Sequence, residues 1–334
     1  MNPENNWTSV YLFYKHNLNI LLVKLVGPLI NQWTDTNLIT NYFFIRSWEE
    51  GQHIRLQLKT EKLSHEVILK SIMDIYEHSF TALEYHDDNF NVIFSVYERE
   101  TERYGGEEAT LLTEKFFRYQ TKVTLQVLAQ NLHNWKHNLA LSTGIQMFLI
   151  FLKASGKTTE DCIRFLDYLF YSSITFSVKE SECPNLEDEI AQNIALFNKL
   201  YSQQKTSIGY ICKRIWNNSG LEAPDWRFHW AQYAKEIIPD FQTLNSSQLI
   251  KTPSMVSQIA FPEEISITER TEWAVWHSYF HEISNRLGLY MRDVSCVFFV
   301  LREGLKTLIN NTIKRDVIFN FPLLLDFFSS KRGI

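Results

Sequence analysis

The order of two hydrophobic periodicities in the first hundred residues restricts the fold more than any other feature of this sequence. Stretches rich in β-branched and aromatic residues, typical of strands, lie at residues 7–14, 42–48, 53–59 and 91–97. Helical patterns lie between the first two strands, at 18–30, and between the last two, at 64–84, where Ser64 is a candidate N-cap. This β-α-β-β-α-β order predicts a ferredoxin-like antiparallel sheet.

The pattern changes to helices after Gly106. Helical periodicity covers residues 107–134, 139–154, 160–172, 187–205 and 267–312, with an interruption near Gly288. Residues 207–257 are less periodic and contain three prolines, which predicts short helices and loops. We therefore expect an α+β chain whose sheet-bearing part, 1–106, and helical part, 107–334, form one integrated catalytic domain.

Composition excludes several classes of protein. The 334 residues carry a net charge of −5, which argues against a dominant nucleic-acid binder. No apolar stretch reaches the about 20 residues that a membrane span needs, and the N-terminus lacks a signal-peptide pattern. Four widely spaced cysteines predict reduced thiols in a cytoplasmic protein; they are Cys162, Cys183, Cys212 and Cys296.

Motifs for cofactors and metals are missing or incomplete. Ser155-Gly-Lys-Thr158 lacks the rest of a phosphate-binding loop, and no Gly-x-Ser-x-Gly elbow occurs. The histidine pairs His133/His137 and His277/His281 have helical spacing but lack the His-Glu-x-x-His pattern. We expect neither a metal nor a cofactor.

The segment Tyr97–Gly106, YERETERYGG, places a cluster of charges directly after a predicted strand. Glu100 and Arg103 are three residues apart, so on a straight strand they would face opposite ways. They converge only if the chain turns or bulges, which Gly105 and Gly106 permit. The segment is either a solvated strand end or one wall of a site.

Strict alternation in the third predicted strand sorts its side chains onto two faces. His53, Arg55, Gln57 and Lys59 share one face. This is either an ordinary half-exposed strand or a polar surface that binds an anion, since the planar guanidinium suits a carboxylate. Arg46, on the neighbouring strand, is a candidate to join it.

His281 lies in a predicted helix rich in aromatic residues, which include Trp273, Trp276, Tyr279 and Phe280. An imidazole in apolar surroundings stays neutral near pH 7, as a general base requires. The alternative is a core histidine without a catalytic role, and the sequence leaves both open.

Taken together, several segments resemble one family over nearly the full length, from Trp7 to about Gly304. The segments are WTSVYLFY from Trp7, Gly27-Pro-Leu29, Phe43-Phe-Ile-Arg46, Gly51-Gln-His-Ile-Arg-Leu56, Tyr97-x-x-Glu-x-x-Arg-Tyr-Gly-Gly106 and His281-x-x-x-Asn-Arg-Leu-Gly288. The chain resembles the C-terminal glutamate-elimination domain of class I lanthipeptide dehydratases, also called the thiopeptide-type bacteriocin biosynthesis domain.

The resemblance implies a carbon–oxygen lyase. In such dehydratases a separate, larger domain transfers glutamate from glutamyl-tRNA to Ser or Thr of a precursor peptide. The elimination domain then removes the Cα proton and expels glutamate, which leaves dehydroalanine or dehydrobutyrine. We expect a free-standing elimination subunit whose partners are a leader-bearing precursor peptide and a separate tRNA-dependent glutamylating subunit. No direct contact with nucleic acid or membrane is expected, and a homodimer is left open.

The resemblance also assigns residues. Arg55, Glu100, Arg103 and His281 match positions that the family uses for elimination. In this assignment His281 handles the proton, the two arginines bind the glutamyl group or stabilise the enolate, and Glu100 orients Arg103. Further residues are expected to bind substrate: Arg46, His53, Gln57, Tyr104, Asn285 and Arg286.

This sequence departs from the family's pattern at Gln57, and the departure leaves other functions open. The family often has arginine where this chain has Gln57, and glutamine donates hydrogen bonds without a charge. A related activity on the same fold is that of thiopeptide pyridine synthases, which join two dehydroalanines by a formal four-plus-two cycloaddition and expel the leader peptide. A non-catalytic scaffold that binds leader peptide is the third possibility.

Overall fold

The computed structural model describes residues 6–80, 90–179, 186–217, 225–253 and 265–309. Contacts along the chain divide it into two compact units, Met1–Trp135 and Lys136–Ile334, which are described separately below as the first and second units.

The first unit contains the predicted β-α-β-β-α-β succession. Its elements are β1 (Trp7–Tyr14), α1 (Leu18–Leu21), a π-helical turn (Leu22–Val26), α2 (Gly27–Asp35), β2 (Asn41–Ser47), β3 (His53–Lys59), α3 (His65–Phe80), β4 (Phe90–Ser95), α4 (Thr101–Tyr104), α5 (Glu107–Asn131) and a 3₁₀ turn (Leu132–Asn134). The strands pair antiparallel in the order β2-β3-β1-β4. The ferredoxin-like arrangement and the α+β class are confirmed.

One face of the sheet is apolar and carries the helices between the strands. Alternate residues of β1 and β3, such as Val10, Leu12 and Leu56, point to this face and are fully buried. They pack with α2 and α3 residues, among them Leu29 and Ile72. We call this side the helix-packed face and the other side the site face.

The sequence pattern predicts that the helix after β1 ends at Ile30, shortly after Pro28. In the structure the helical backbone continues beyond both residues. Gly27 donates its N–H to Leu22 O, five residues back, at the end of the π-helical turn. A wider turn at this place accommodates Pro28, which has no N–H to donate. Helical backbone therefore continues to Asp35. Downstream, the predicted N-cap of α3 is confirmed, since Ser64 Oγ accepts from Val67 N at 3.4 Å.

Helix α5 belongs to the first unit, although the sequence pattern placed the change from sheet to helices at Gly106. It covers the free edge of β2, where Phe44 N donates to Thr121 Oγ1 at 3.3 Å. Arg118 Nη1 donates to Thr40 O at 3.1 Å on the same edge. An edge strand needs such cover because its unpaired N–H and C=O groups would otherwise pair with another chain.

The second unit is helical in its described parts. Its helices are α6 (His137–Ala154), α7 (Thr159–Lys179), α8 (Leu186–Trp216), α9 (Trp226–Ser246), α10 (Ile267–Leu287) and α11 (Met291–Ile309). The predicted break near Gly288 is confirmed, because Gly288 ends α10 with φ 76°. Helices α8 and α11 approach closely at Gly304, where an added Cβ would lie 2.6 Å from Cys212 Sγ.

The prediction of short helices and loops at 207–257 is wrong in the described part of that range. Helix α8 continues to Trp216, and α9 runs for 21 residues with Pro239 inside it. Trp230, Ile237 and Phe241 of α9 are fully buried. Their packing outweighs the about 3 kcal/mol that a proline costs inside a helix.

Three cysteine thiols are free, as predicted, and all three are buried: Cys162, Cys212 and Cys296. Cys183 lies outside the described residues. Burial raises the pKa of each of the three thiols to about 12. Among the helices described, none is both long and apolar enough to cross a lipid bilayer.

Candidate active site

Arg55 projects from the site face of β3 and is held on several sides. It lies between its cross-strand partners Tyr11 on β1 and Ile45 on β2. Its Nε donates to His53 Nε2 at 3.1 Å, and its Nη2 forms an ion pair with Glu49. Its guanidinium carbon lies 5.1 Å from the centre of the Tyr11 ring. The side chain is 29% exposed, so it is oriented and still accessible to an anion.

His53 is buried, which corrects the expectation of an exposed polar strand face. Its ring stacks on Phe13 at 4.4 Å and on Tyr11 at 5.3 Å between centroids. Burial lowers the pKa of His53, and the positive charge of Arg55 adds to that effect. Its Nδ1 lies 2.8 Å from Gly51 O, so the hydrogen-bond partners assign the proton to Nδ1 and leave Nε2 as an acceptor.

Gln57 is also buried, at 5% exposure, and its Oε1 has no hydrogen-bond partner among the described residues. Its cross-strand partner on β2 is Phe43, whose ring packs on Tyr97 and on Phe117 of α5. Gln57 therefore lies beneath a cover of aromatic side chains and is not an open contact for substrate.

Arg46 does not join this face. It pairs with Ile54 in the register of β2 and β3, which places it on the helix-packed face opposite Arg55. Its Nη2 donates to Asn19 Oδ1 of α1 at 2.7 Å, and the residue is 6% exposed. The expectation that Arg46 contributes to the same site is wrong because the register gives it the other parity.

The Tyr97–Gly106 segment contains the turn that Glu100 and Arg103 need in order to converge. Strand β4 ends at Ser95, and the single helical turn α4 brings Glu100 and Arg103 to one side. Arg103 Nη1 donates to Glu100 Oε2 at 2.9 Å. Tyr104 Oη donates to the same oxygen at 3.4 Å, and the Arg103 guanidinium lies 5.4 Å from the Tyr104 ring centre.

Two glycines separate this turn from the long helix that follows. Gly105 and Gly106 have φ values of 91° and 108°, which favour glycine over any other residue. The first ends α4 and the second precedes α5, whose initial residues Glu107 and Glu108 suit the positive end of the helix dipole.

Aromatic contacts attach the segment to the site face. Tyr97 packs on Phe43 at 5.6 Å, and Tyr104 packs on Phe117 at 5.3 Å between ring centroids. Phe43 has the same parity in the sheet as Arg55. The structure thus brings Arg55 and the Glu100–Arg103 pair to the same face of one sheet.

A buried ion pair beside these residues was missed by sequence reasoning. Glu114 of α5, 2% exposed, accepts from Arg99 Nε at 2.7 Å and from Arg99 Nη2 at 3.0 Å. Burial, followed by the charge of Glu114, raises the pKa of Tyr97. A carboxylate three residues before Phe117, on the buried side of an amphipathic helix, was the available signal. The pair fastens the segment that carries Glu100 and Arg103 to α5.

Removing the charge of Glu114 is therefore expected to destabilise the first unit. Glu114→Gln leaves the largely buried Arg99 without its carboxylate, which costs about 3 kcal/mol of unfolding free energy. Glu107→Gln is the matched control, since Glu107 is 72% exposed and lies 3.8 Å from Arg99. Its expected cost is below about 0.5 kcal/mol. Urea unfolding measures both, and equal losses would contradict the assignment.

His281 lies in α10 of the second unit and is 42% exposed at its side chain. The aromatic residues near it in sequence point into the core; Trp273, Trp276, Tyr279 and Phe280 are all buried. The expected apolar pocket around His281 is wrong, because residues adjacent in a helix differ by about 100° in direction. Its Nδ1 lies 3.6 Å from Oε1 of Glu282.

Asn285 and Arg286 differ in their surroundings. Arg286 is fully buried and donates from Nη1 to Glu282 Oε2 at 3.0 Å and to Glu282 O at 2.9 Å. Its guanidinium is enclosed within the second unit and is not accessible at the surface of the described residues. Asn285 is partly exposed one turn after His281, so these two share a helix face.

No three His, Cys, Asp or Glu side chains in the described ranges converge into a group that could bind a metal ion. The first unit offers two oriented guanidinium groups that suit an anion, and the second unit, described by itself, offers a partly exposed imidazole.

Comparison with known proteins gives a family and a fold. The model of the family described as lantibiotic biosynthesis dehydratase C-term matches residues 7–303. A comparison with curated protein sequences found no match.

Three solved structures share the fold at low sequence identity. One is the tRNA dependent lantibiotic dehydratase MibB from Microbispora sp. 107891, with a TM-score of 0.58, 15% identity, and 93% of this chain covered. This chain spans only 29% of MibB. The pyridine synthase TbtD from thiomuracin biosynthesis matches at a TM-score of 0.64 and 12% identity, with 92% of this chain and 100% of TbtD covered. TsrL matches at a TM-score of 0.63 and 13% identity, with 93% of this chain and 100% of TsrL covered.

Proposed function

Since the chain belongs to the family of the lantibiotic dehydratase C-terminal domain, we propose that it eliminates glutamate from glutamylated Ser or Thr of a precursor peptide. The observation that carries this proposal is the pairing of Arg103 with Glu100 on the same sheet face as Arg55. Two oriented guanidinium groups suit a leaving group that is itself an anion.

The elimination consists of three changes in bonding. A base removes the Cα proton, the electron pair of that C–H bond forms the Cα–Cβ double bond, and the Cβ–O bond breaks. The released oxygen carries the negative charge away as the glutamate carboxylate. The product is dehydroalanine from Ser or dehydrobutyrine from Thr.

We assign the cationic roles within the first unit. Arg55 and Arg103 bind the glutamyl group and stabilise the negative charge that develops, because a planar fork can donate two bonds to one carboxylate. Glu100 orients Arg103 through their 2.9 Å contact. Tyr104, which donates to the same Glu100 oxygen, supports that orientation.

Proton transfer is assigned to His281, a role that comes from the resemblance to the family. Its partly exposed imidazole suits exchange of a proton with a substrate or with water. Asn285, on the same face of α10, is assigned to substrate binding. The precursor peptide and a glutamylating domain or subunit, which supplies the substrate, are the proposed partners.

Gln57 favours a second candidate, cycloaddition of two dehydroalanines as in a pyridine synthase. A neutral, buried amide stands where the elimination family often has arginine. Cycloaddition expels no glutamate, so it does not need a full set of cations for an anionic leaving group.

One experiment separates the candidates. The protein is incubated with a synthetic glutamylated precursor peptide, and in parallel with the same peptide carrying dehydroalanines, and products are followed by mass spectrometry. Loss of glutamic acid to give a dehydrated peptide supports elimination, with the unglutamylated peptide as control. Cyclisation with release of the leader segment supports the synthase. Binding without a change in mass leaves a scaffold and contradicts both enzymatic proposals.

A further inference from the structure

Besides the Tyr11 ring, 5.1 Å from its guanidinium carbon, Arg55 contacts two polar side chains that differ in burial. On the solvent side its partner is Glu49, which is 79% exposed. Such an exposed pair contributes about 0–1 kcal/mol and exchanges readily. On the inner side its partner is the buried Nε2 of His53. Orientation of the guanidinium therefore depends chiefly on the inner bond.

The inner bond exists only while the His53 ring is neutral. Gly51 O faces Nδ1 at 2.8 Å and requires a proton there, so Nε2 accepts from Arg55 Nε through its lone pair. A protonated ring carries N–H groups at both nitrogens and cannot accept that bond. It would also repel the guanidinium.

Burial and the neighbouring groups of the His53 ring act in opposite directions, and their net effect favours the neutral form. Within the described residues these groups are the cation of Arg55, the carboxylates of Glu49 and Glu50 in the β2–β3 turn, and Tyr11 on β1 beside the apolar Phe13. Desolvation is the largest influence on the pKa of His53, and the cation of Arg55 acts in the same direction, whereas the hydrogen bond to Gly51 O and the two carboxylates oppose them. The net result lowers the pKa of His53 below its usual value.

We infer that His53 is a positioning residue, which fixes the Arg55 guanidinium by accepting its Nε–H and so leaves the outer Nη groups to the substrate's carboxylate. Glu49 occupies one of those outer groups in the absence of substrate and is displaced when the anion binds. The inference rests on the proposed function for the identity of the anion, and on the geometry of β3 alone for the role of His53.

Two substitutions at His53 distinguish the effect of its hydrogen-bond acceptor from the effect of its ring stacking. His53→Gln places an amide oxygen near the position of Nε2, where it accepts the same bond and does not titrate. His53→Phe keeps the stacking with Tyr11 and Phe13 and removes the acceptor. Circular dichroism establishes that each variant folds before it is compared.

Nitrogen-15 arginine NMR tests the contact without any peptide substrate. The Arg55 Nε–H signal, assigned by its absence in Arg55→Lys, is expected to be slow to exchange at neutral pH in the native protein and in His53→Gln. It is expected to exchange fast in His53→Phe. Because acid slows guanidinium exchange in every variant, the native rate is compared at each pH with that of His53→Phe. It should lie below the His53→Phe rate at neutral pH and reach it once the His53 ring is protonated, whereas the His53→Gln rate should stay below it throughout. A native rate equal to that of His53→Phe at neutral pH, or still below it after protonation of the ring, overturns the inference.

Kinetics connect the contact with catalysis. With a glutamylated peptide, His53→Phe is expected to raise KM about tenfold, the equivalent of one hydrogen bond to a charged group. His53→Gln should restore KM to within about twofold of the native value at neutral pH. Equal KM values for the native protein and His53→Phe overturn the positioning role. If the native protein eliminates no glutamate, the proposed function fails, and the NMR result still decides whether His53 fixes Arg55.

Discussion

Arg103→Ala is expected to lower kcat/KM for glutamate elimination by roughly 10²–10³-fold, the usual cost of removing one preorganised group that stabilises developing charge. The change removes a cation and also takes from Glu100 its ion partner at 2.9 Å. The remaining carboxylate would face an anionic glutamyl group. The effect should therefore exceed that of Glu100→Gln, which leaves the arginine in place without its orienting partner.

Stability should change little in Arg103→Ala. The Arg103 and Glu100 side chains are 22% and 58% exposed, so their pair contributes less than about 1 kcal/mol to folding. Arg118→Ala is the matched control, because Arg118 lies in the same unit and binds Thr40 O at the edge of β2. Steady-state mass-spectrometric assays measure the rates. If Arg103→Ala and Arg118→Ala lose activity equally, Arg103 has no special role.

His281→Ala is expected to reduce kcat for elimination by roughly 10²–10⁴-fold, the range for loss of a group that transfers the proton in the rate-limiting step. Its 42% exposed side chain contributes little to packing, so the variant should unfold at the native urea concentration. Binding of the glutamylated peptide, measured by fluorescence anisotropy, should be retained within a few-fold.

His229→Ala serves as the comparison, since His229 is a partly exposed histidine of the same unit that the resemblance does not assign. It should eliminate glutamate at the native rate. Full activity of His281→Ala would show that another group removes the Cα proton. Loss of peptide binding along with activity would instead reassign His281 to substrate binding.

Much of the first unit was predictable because each element carries its own periodicity. Strands β1 and β3 begin and end where their alternation predicts. Glu100 and Arg103 converge through a turn, which is the condition that their i,i+3 spacing set for convergence. The prolines at 207–257 led to the wrong prediction of short helices and loops. Proline signals are local, whereas the buried side of α9 is stabilised by residues distant in sequence.

The site was predictable only in part. Alternation correctly grouped Arg55 with His53 and Gln57, and it could not reveal that the latter two are buried. Arg46 was assigned to the wrong face of the sheet. The register between two strands decides which of their residues share a face, and the register is set by strand pairing, which the sequence does not show. The ion pair of Arg99 with Glu114 joins residues 15 apart through a turn that local patterns do not describe.

The sequence by itself determined the order of elements, the α+β class, the face to which each β3 side chain points, and that Glu100 and Arg103 converge only if the chain turns or bulges. Tertiary structure alone decided which of those side chains stay accessible. Parity along a strand is a property of adjacent residues, whereas burial depends on what packs above them. Here the cover comes from aromatic side chains of β1 around His53, and from Tyr97 and Phe117 beside the cross-strand partner of Gln57. Those contacts leave Arg55 as a partly exposed cation, with a buried histidine behind it to hold its orientation.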